Sequence, residues 1–476
     1  MNPLARLDHQ YVWHPFTQMS DWLKREPIVI VEGQGAVLRD AHGREYLDAN
    51  SSIWTNLHGH NHPKINRAIS RQLKRIAHSS ALGLANEPAS LLAAKLVQMA
   101  NPHRRRTASR ITHHASRLTK VFFSDNGSTA MEVALKLGYE FARRTGRSRK
   151  PKFVSLAGAY HGDTIGAVSL GHIDLFHKAY SGLLFRTDQV AAPYCYRCPY
   201  NRAQPERADA REYRKCNWEC LDKVEQKFQA QKKRGNPYAG FVFEPLIQGA
   251  AGMIPQPTGW LGRACEIARG HGAFLIADEV LTAFGRASAF ETTPSLLASH
   301  QESVQPDLAA IAKGLTGGYL PMAATLTSQP IFDAFLGEYD EFKTFFHGHS
   351  YTGNQLGAAA ALASLELLGT RASLAARRVL QKTLRDSLKD LWSLPNVGDI
   401  RQVGSIVGIE LVRDWRTRES FELSEKVGIR VCEAMAKRGV LTRPIGNVVV
   451  IMPPFCATRE QVTSMVAVLA EALQAP

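Results

Sequence analysis

The stretch Phe274-Leu275-Ile276-Ala277-Asp278-Glu279-Val280 decides the fold. Four apolar residues run together and end on an acid, with no polar residue alternating between them. A short unbroken apolar run suits a strand buried on both faces, as in a parallel sheet covered by helices. Leu308-Ala309-Ala310-Ile311-Ala312 is a second such run and ends on Lys313-Gly314. Lys152 to Leu156 and Gly240 to Phe243 read as further short buried strands. Val121-Phe122-Phe123 precedes a segment with Ala130, Val133, Ala134, Leu137 and Phe141 at helical spacing. Strands alternating with helices over this length predict an α/β fold with a mostly parallel sheet.

Past about residue 340 the character changes. A helix rich in Ala and Leu is expected from about Gly357 to Leu368, with strands at Ser405 to Val412 and Val448 to Met452. A helix between those strands and a terminal one from Arg459 complete a smaller α+β domain. Ile28 to Glu32 and Ala36 to Arg39 read as a hairpin that would pack with this C-terminal part. The expected division is residues 1–75 as a segment joining the small domain, 76–345 as the large domain, and 346–476 as the small domain. Two additions interrupt the large domain, a basic insert at 103–120 and a cysteine-containing excursion at 195–220.

The 476 residues suffice for one large domain and one smaller one. Hydrophobic residues at 45% and charged residues at 21% fit a globular enzyme and exclude a disordered chain. No apolar run approaches the roughly 20 residues of a membrane span, and Met1-Asn2-Pro3-Leu4-Ala5-Arg6 lacks a signal-peptide core. A cytoplasmic enzyme without a membrane partner is expected. The net charge of +15 raises nucleic-acid binding. Much of the excess sits in two runs, from His103-Arg104-Arg105-Arg106 to Lys120 and from Arg143 to Lys152, and neither interleaves aromatics for base stacking. They read as solvated loops, with no nucleic-acid partner, and their field would steer an anionic substrate.

Asp278 and Lys313 carry the chemistry. A carboxylate beside a pyridine nitrogen keeps it protonated, and a lysine amine forms a Schiff base with an aldehyde and later moves protons. The pair suits pyridoxal 5′-phosphate (PLP). Gly127-Ser128 follow Asn126 at a helix start, where free N–H groups favour a phosphate, although ordinary N-capping explains the same residues. Tyr160, in Tyr160-His161-Gly162-Asp163, could stack on a planar ring or pack in its loop. Glu244-Pro245 end a strand, and Gln248 could donate to a phenolic oxygen or be structural. Arg443, in Leu441-Thr442-Arg443-Pro444, could grip a carboxylate bidentately. Arg286 could do the same or tie the structure. His58, His60 and His62, spaced by Gly59 and Asn61, fit a shaped loop better than a metal site. Cys195, Cys198, Cys216 and Cys220 have spacing that could hold zinc or remain as free thiols; no metal is otherwise expected.

Taken in order, Asn126-Gly127-Ser128, Tyr160-His161-Gly162-Asp163, Glu244-Pro245, Asp278-Glu279-Val280 with Gly285-Arg286, and Ala312-Lys313-Gly314 resemble the class III, fold-type I, PLP-dependent aminotransferases. Trp13-His14-Pro15-Phe16-Thr17-Gln18-Met19, Ser51-Ser52-Ile53-Trp54 and Phe346-His347-Gly348-His349-Ser350-Tyr351-Thr352-Gly353-Asn354 resemble the family's biotin-synthesis branch. That resemblance implies transfer of an amino group to 8-amino-7-oxononanoate. Lys313 would be the Schiff-base lysine, Asp278 the partner of the pyridine nitrogen, and Tyr160 a catalytic residue packed at the ring. Gly127 and Ser128 would hold the phosphate, joined by His349 and Ser350 of a neighbouring subunit, so a homodimer with shared sites is implied. Arg443 would bind the substrate carboxylate, and Gly348, Phe16, Ile53 and Trp54 would line the substrate pocket.

Members that use S-adenosylmethionine as donor resemble this chain except that Tyr stands at Phe16 and Trp at Ile53. Phe16-Thr17-Gln18-Met19 and the run from His347 to Asn354 look more like the branch that takes the amine from lysine. S-adenosylmethionine is the expected donor and lysine the alternative. An ω-aminotransferase using pyruvate and a basic nucleic-acid-binding protein are the other readings. The Trp13-to-Phe16 and Ser51-to-Trp54 segments speak against the first, and Lys313 with Asp278 against the second.

Overall fold

The computed structural model describes residues 1–101, 117–288 and 295–474. Its centre is a seven-stranded sheet in the order Leu118–Ser124, Ala323–Ser328, Leu308–Ile311, Phe274–Asp278, Tyr238–Phe243, Lys152–Leu156, Asp188–Val190. All neighbours are parallel except Ala323–Ser328, which runs against both strands beside it. Every residue of Phe274–Asp278, Leu308–Ile311 and Tyr238–Phe243 is buried, which explains why these strands read as unbroken apolar runs. The sequence reading missed Ala323–Ser328 because its two threonines break the run, and Asp188–Val190 because it is short.

Helix Gly127–Arg144 crosses one face of this sheet. Asn126 caps it, accepting from the Thr129 N–H while the Thr129 hydroxyl accepts from the Asn126 N–H. Its five expected apolar positions are all buried. At Gly138 a Cβ would come within 2.7 Å of the Phe274 ring, so glycine allows the helix to sit close on the sheet.

The N-terminal strands Ile30–Gln34, Val37–Asp40 and Glu45–Asp48 form an antiparallel meander, and Val440–Leu441 adds in parallel to the last of them. The beginning and end of the chain therefore share one sheet. A second antiparallel sheet joins Val397–Val403, Ile406–Leu411, Val448–Ile451 and Pro444–Ile445. Helices Arg371–Ser387 and Arg459–Gln474 pack together beside it. Helix Gln355–Leu368 packs on Pro63–Arg75 and Glu87–Ala100 and reaches the turn Lys313–Thr316.

The expected basic insert lies outside the described residues from 103 to 116. Its expected end at Lys120 is corrected, because strand Leu118–Ser124 has already begun and pairs with Ala323–Ser328. Among the described residues, no helix is long and apolar enough to cross a membrane.

Candidate active site

Parallel pairing sets the site. Asp278 lies opposite Ala310 on the neighbouring strand, so both strands deliver their carboxyl ends to one edge, where ligands collect in open α/β sheets. Lys313 follows three residues after Ala310, and Tyr160 and Glu244 emerge from the ends of Lys152–Leu156 and Tyr238–Phe243. Together they line a cavity of about 720 Å³ that also takes in Gly127, Ser128, His161 and Trp54.

The Asp278 carboxylate is held at both oxygens. Oδ1 accepts from the Val280 N–H at 3.1 Å, and Oδ2 lies 2.7 Å from His161 Nδ1. Both side chains are buried, and His161 Nε2 has no hydrogen-bond partner. The sequence reading passed over this His161 contact, because the neighbouring Tyr160 offered the more obvious one. The Tyr160 hydroxyl donates to Asp163 Oδ2 at 2.8 Å, and burial together with that carboxylate holds the phenol above its usual range.

Lys313 adopts a positive φ of 42° and lines the cavity. Its Nζ lies 4.8 Å from the centre of the Trp54 ring. Burial pushes this amine below its usual range, against the pull of Asp278 and Glu244, so it more readily holds a lone pair for proton transfer.

Trp54 arrives by an unusual route. Ser51, Ser52, Ile53 and Trp54 all have left-handed φ values, from 46° to 68°. Such conformations cost about 1–3 kcal/mol each and persist only where other contacts hold them. Asp48 supplies those contacts, accepting from the N–H of Asn50 and from the N–H and hydroxyl of Ser52. The Ser51 hydroxyl donates to the Met452 carbonyl at 2.7 Å.

The end of the cavity at Gly127 and Ser128 is a close fit. A Cβ on Gly162, whose φ is 119°, would fall 1.8 Å from Ser128 Oγ, and one on Gly127 would fall 2.7 Å from Val280. The Ser128 Oγ accepts the Asp163 N–H at 2.8 Å, leaving its own proton free to donate at the helix start. Glycine backbone, a free hydroxyl, a fixed carboxylate and a depressed lysine amine fit PLP in size and chemistry.

Glu244 accepts the N–H groups of Tyr160 and Gly249, at 3.3 and 2.8 Å. Burial pushes it up to about 7; His161 opposes this and Asp278 adds to it. A carboxyl raised from 4.5 stabilises the fold fully below pH 4.5, and that contribution is lost as pH rises through about 7. The loss in cofactor-free protein is expected to reach at most about 3.5 kcal/mol. Glu244→Gln should flatten that part of the slope in urea unfolding measured from pH 4.5 to 8. Asp399, also pushed up to about 7 by burial, leaves a remainder of the same sign in both proteins. Equal slopes in wild type and variant would refute the assignment.

Other expected residues lie elsewhere. Arg286 does not meet the expectation of a carboxylate grip: it is 1% exposed, and its guanidinium donates to the carbonyls of Pro453 and Asn56 over the Phe455 ring. Gln248 is buried with Nε2 on the Ala157 carbonyl at 3.0 Å and does not line the cavity. Arg443 is exposed and donates to the Phe16 carbonyl at 3.1 Å. The Phe16 ring meets Phe176, which meets Tyr160, so an aromatic chain links this arginine to the cavity. Phe176 had no sequence signal beyond its hydrophobicity. Ile53 is exposed beside the cavity. Gly348, His349 and Ser350 do not line the cavity, and His349 Nε2 lies 3.6 Å from Asp125. The three histidines of the early loop serve structure: His58 meets Ser364, His60 meets Asp48, and His62 accepts the Lys64 N–H.

A buried acid, a lysine and a phosphate-sized glycine corner at the carboxyl edge of one sheet define a PLP-dependent transferase, and the sequence profile "Aminotransferase class-III" matches residues 19–473. The chain belongs to the class III aminotransferases. It is 47% identical over 459 residues to the adenosylmethionine-8-amino-7-oxononanoate aminotransferase of Geobacter sulfurreducens, covering 96% of this chain and 94% of that one. The protein of the same description from Nitratidesulfovibrio vulgaris is 45% identical, over 97% of this chain and 80% of its own. The crystal structure of the Methanocaldococcus jannaschii protein so described superposes with a TM-score of 0.87 at 37% identity, covering 99% and 98% of the two chains. The ω-transaminase of Pseudomonas jessenii in complex with PMP has the same TM-score at 25% identity, over 99% and 98%. The chain is thus a PLP-dependent aminotransferase of fold-type I.

Proposed function

We propose that the protein transfers an amino group from S-adenosylmethionine to the keto carbon of 8-amino-7-oxononanoate, giving 7,8-diaminononanoate in biotin biosynthesis. The observation that carries the reading is the cavity in which Lys313 faces Trp54 beside Asp278, in a chain alike over nearly its full length to proteins named for this reaction. When bound, PLP supplies an aldehyde that ferries the amine and a pyridine ring that takes up electron density. Asp278, braced by His161 and the Val280 N–H, would keep the pyridine nitrogen protonated. Gly127 and Ser128 would hold the phosphate, and Tyr160 would cover the ring. Lys313 Nζ would take the proton from the donor's amine-bearing carbon and later return one to the acceptor carbon. Trp54, whose ring lies beside Lys313 Nζ, would exclude water from that transfer. Mixing the pyridoxamine form with 8-amino-7-oxononanoate should regenerate the pyridoxal form in one turnover; no conversion would overturn the reading.

The reading includes a cytoplasmic homodimer. Leu82 is 91% exposed and Phe346 75%, and Leu84 and Tyr351 are exposed too, a set of apolar side chains suited to burial against a second copy. His349 and Ser350 would reach the partner's phosphate from the same surface.

Arg443 is read as the carboxylate clamp. Arg443→Lys keeps the charge and loses the planar fork, and is expected to weaken 8-amino-7-oxononanoate binding by roughly 1.5–3 kcal/mol while PLP binding stays unchanged. Titration of the pyridoxamine form checks this, and an unchanged affinity would rule the clamp out.

Lysine as donor remains a specific alternative, because Phe16 and Ile53 give the cavity mouth one hydroxyl and one aromatic face fewer. A sulfonium donor gains roughly 0.5–2 kcal/mol from each aromatic face it meets. Phe16→Tyr with Ile53→Trp should therefore raise the kcat/KM ratio for S-adenosylmethionine over lysine, by up to about thirtyfold. A ratio that does not move would show that these positions do not choose the donor.

A further inference from the structure

The four clustered cysteines play no part in the reaction described above, yet the chain brings them together with care. Cys195 and Cys198 flank a short 3₁₀ turn, Cys195–Arg197. Cys216 precedes helix Glu219–Lys233, and Cys220 sits in its first turn. Asn201 stitches the two pairs: its side chain donates to the Cys195 carbonyl at 3.0 Å and accepts the Lys215 N–H at 2.9 Å. The Asn201 N–H donates to the Cys198 carbonyl, and the Arg202 N–H to the Lys215 carbonyl. The turn that carries Cys195 and Cys198 is thereby held against the segment that leads into Cys216 and Cys220.

All four are free thiols, Cys195 and Cys220 buried and the other two half-buried. Burial pushes the Cys195 and Cys220 thiols up, so positive charge beside the cluster is what a tetrathiolate would need. Arg214 Nη1 lies 3.2 Å from Cys216 Sγ, with its guanidinium 4.0 Å from the Trp218 ring, and the N-terminus of Glu219–Lys233 faces Cys220. Zinc held by four thiolates carries a net charge of about −2, which an arginine and a helix start offset.

We propose that Cys195, Cys198, Cys216 and Cys220 bind one zinc ion as a tetrathiolate that pins the 195–220 excursion against the C-terminal sheet. A C-x-x-C turn joined to a second pair at a helix start is a known geometry for closed, structural zinc. Among the described residues, no three His, Cys, Asp or Glu side chains already stand at ligand spacing. The ion would therefore draw the sulfurs in by rotation about their Cα–Cβ bonds, with the backbone stitches fixed.

The excursion has much to hold. Tyr194 and Arg197 donate to Glu410, Arg418 donates to the Tyr196 carbonyl, Arg207 to that of Val397, and Arg211 to that of Gln402. Glu410 also pairs with Arg401, which donates to the Gly252 carbonyl at 2.7 Å in the loop behind the cavity. The role is structural and independent of which donor and acceptor the enzyme uses.

The test is the metal content of the holoenzyme, purified without chelator. About one zinc per chain is expected in wild type, falling below about a fifth of that in Cys198→Ser and Cys216→Ser. The variants should melt earlier and keep kcat within about twofold at low temperature. Wild type grown with cobalt should show thiolate-to-Co(II) charge-transfer absorption, which decides the matter even if the serine variants fail to fold. Wild type without zinc that also fails to take up Zn(II) or Co(II), disulfides linking these cysteines, or zinc retained in the double variant would each overturn the proposal.

Discussion

Lys313→Ala is expected to lower single-turnover transamination by about four orders of magnitude or more. On the proposed reading two functions would end together: covalent attachment of the cofactor and proton transfer at the reacting carbon, the latter alone worth up to about 10⁴. The fold should survive, since the lysine lines the cavity and its truncation only enlarges that space beside Trp54. In wild type, borohydride trapping followed by peptide mapping should place the pyridoxyl mass on Lys313. A label on another lysine, or turnover in the alanine variant near that of wild type, would end the assignment.

Asp278→Asn is expected to cost roughly 2–4 kcal/mol in the transition state, or about two to three orders of magnitude in rate. On the proposed reading, the change removes the charge that would hold a proton on the pyridine nitrogen. It also disturbs the brace. The carboxylate meets the Val280 N–H with one oxygen and His161 with the other, whereas an amide offers one oxygen and one NH₂. Stopped-flow rates for both half-reactions, with cofactor occupancy checked by absorbance, provide the measurement. Near-normal turnover at full occupancy would contradict the role.

Several residues that line the candidate site are legible in the sequence, and the reason is local. Asp278 and Lys313 each follow an apolar run, and strand ends are where α/β proteins gather chemistry. Gly127 and Ser128 were readable as a helix start. His161 was not, because a histidine whose partner lies 117 residues away gives no periodic signal. Arg286 misled for a similar reason: its bonds go to the carbonyls of Asn56 and Pro453, from opposite ends of the chain. In the fold, the reversed strand Ala323–Ser328 was hidden by its threonines, whereas Phe274–Asp278 announced itself. Pairing of Val440–Leu441 with Glu45–Asp48 is a long-range register that two residues cannot encode visibly.

The left-handed turn from Ser51 to Trp54 bears on how readily this pocket can be reshaped by mutation. Its backbone is fixed by Asp48 and the Met452 carbonyl, away from the side chains that face substrate. Side chains at positions 53 and 54 can thus be exchanged without rebuilding the loop. The exchange is not symmetric. A β-branched residue fits poorly at positive φ, so Ile53 is the worst placed of the four, and replacement by an unbranched or aromatic residue relieves that misfit. In saturation libraries at position 53, Val and Thr should accordingly melt no higher than the Ile53 parent, whereas Asn and Gly should melt higher. Donor choice could then drift during evolution along a path whose intermediates fold at least as well as the starting protein.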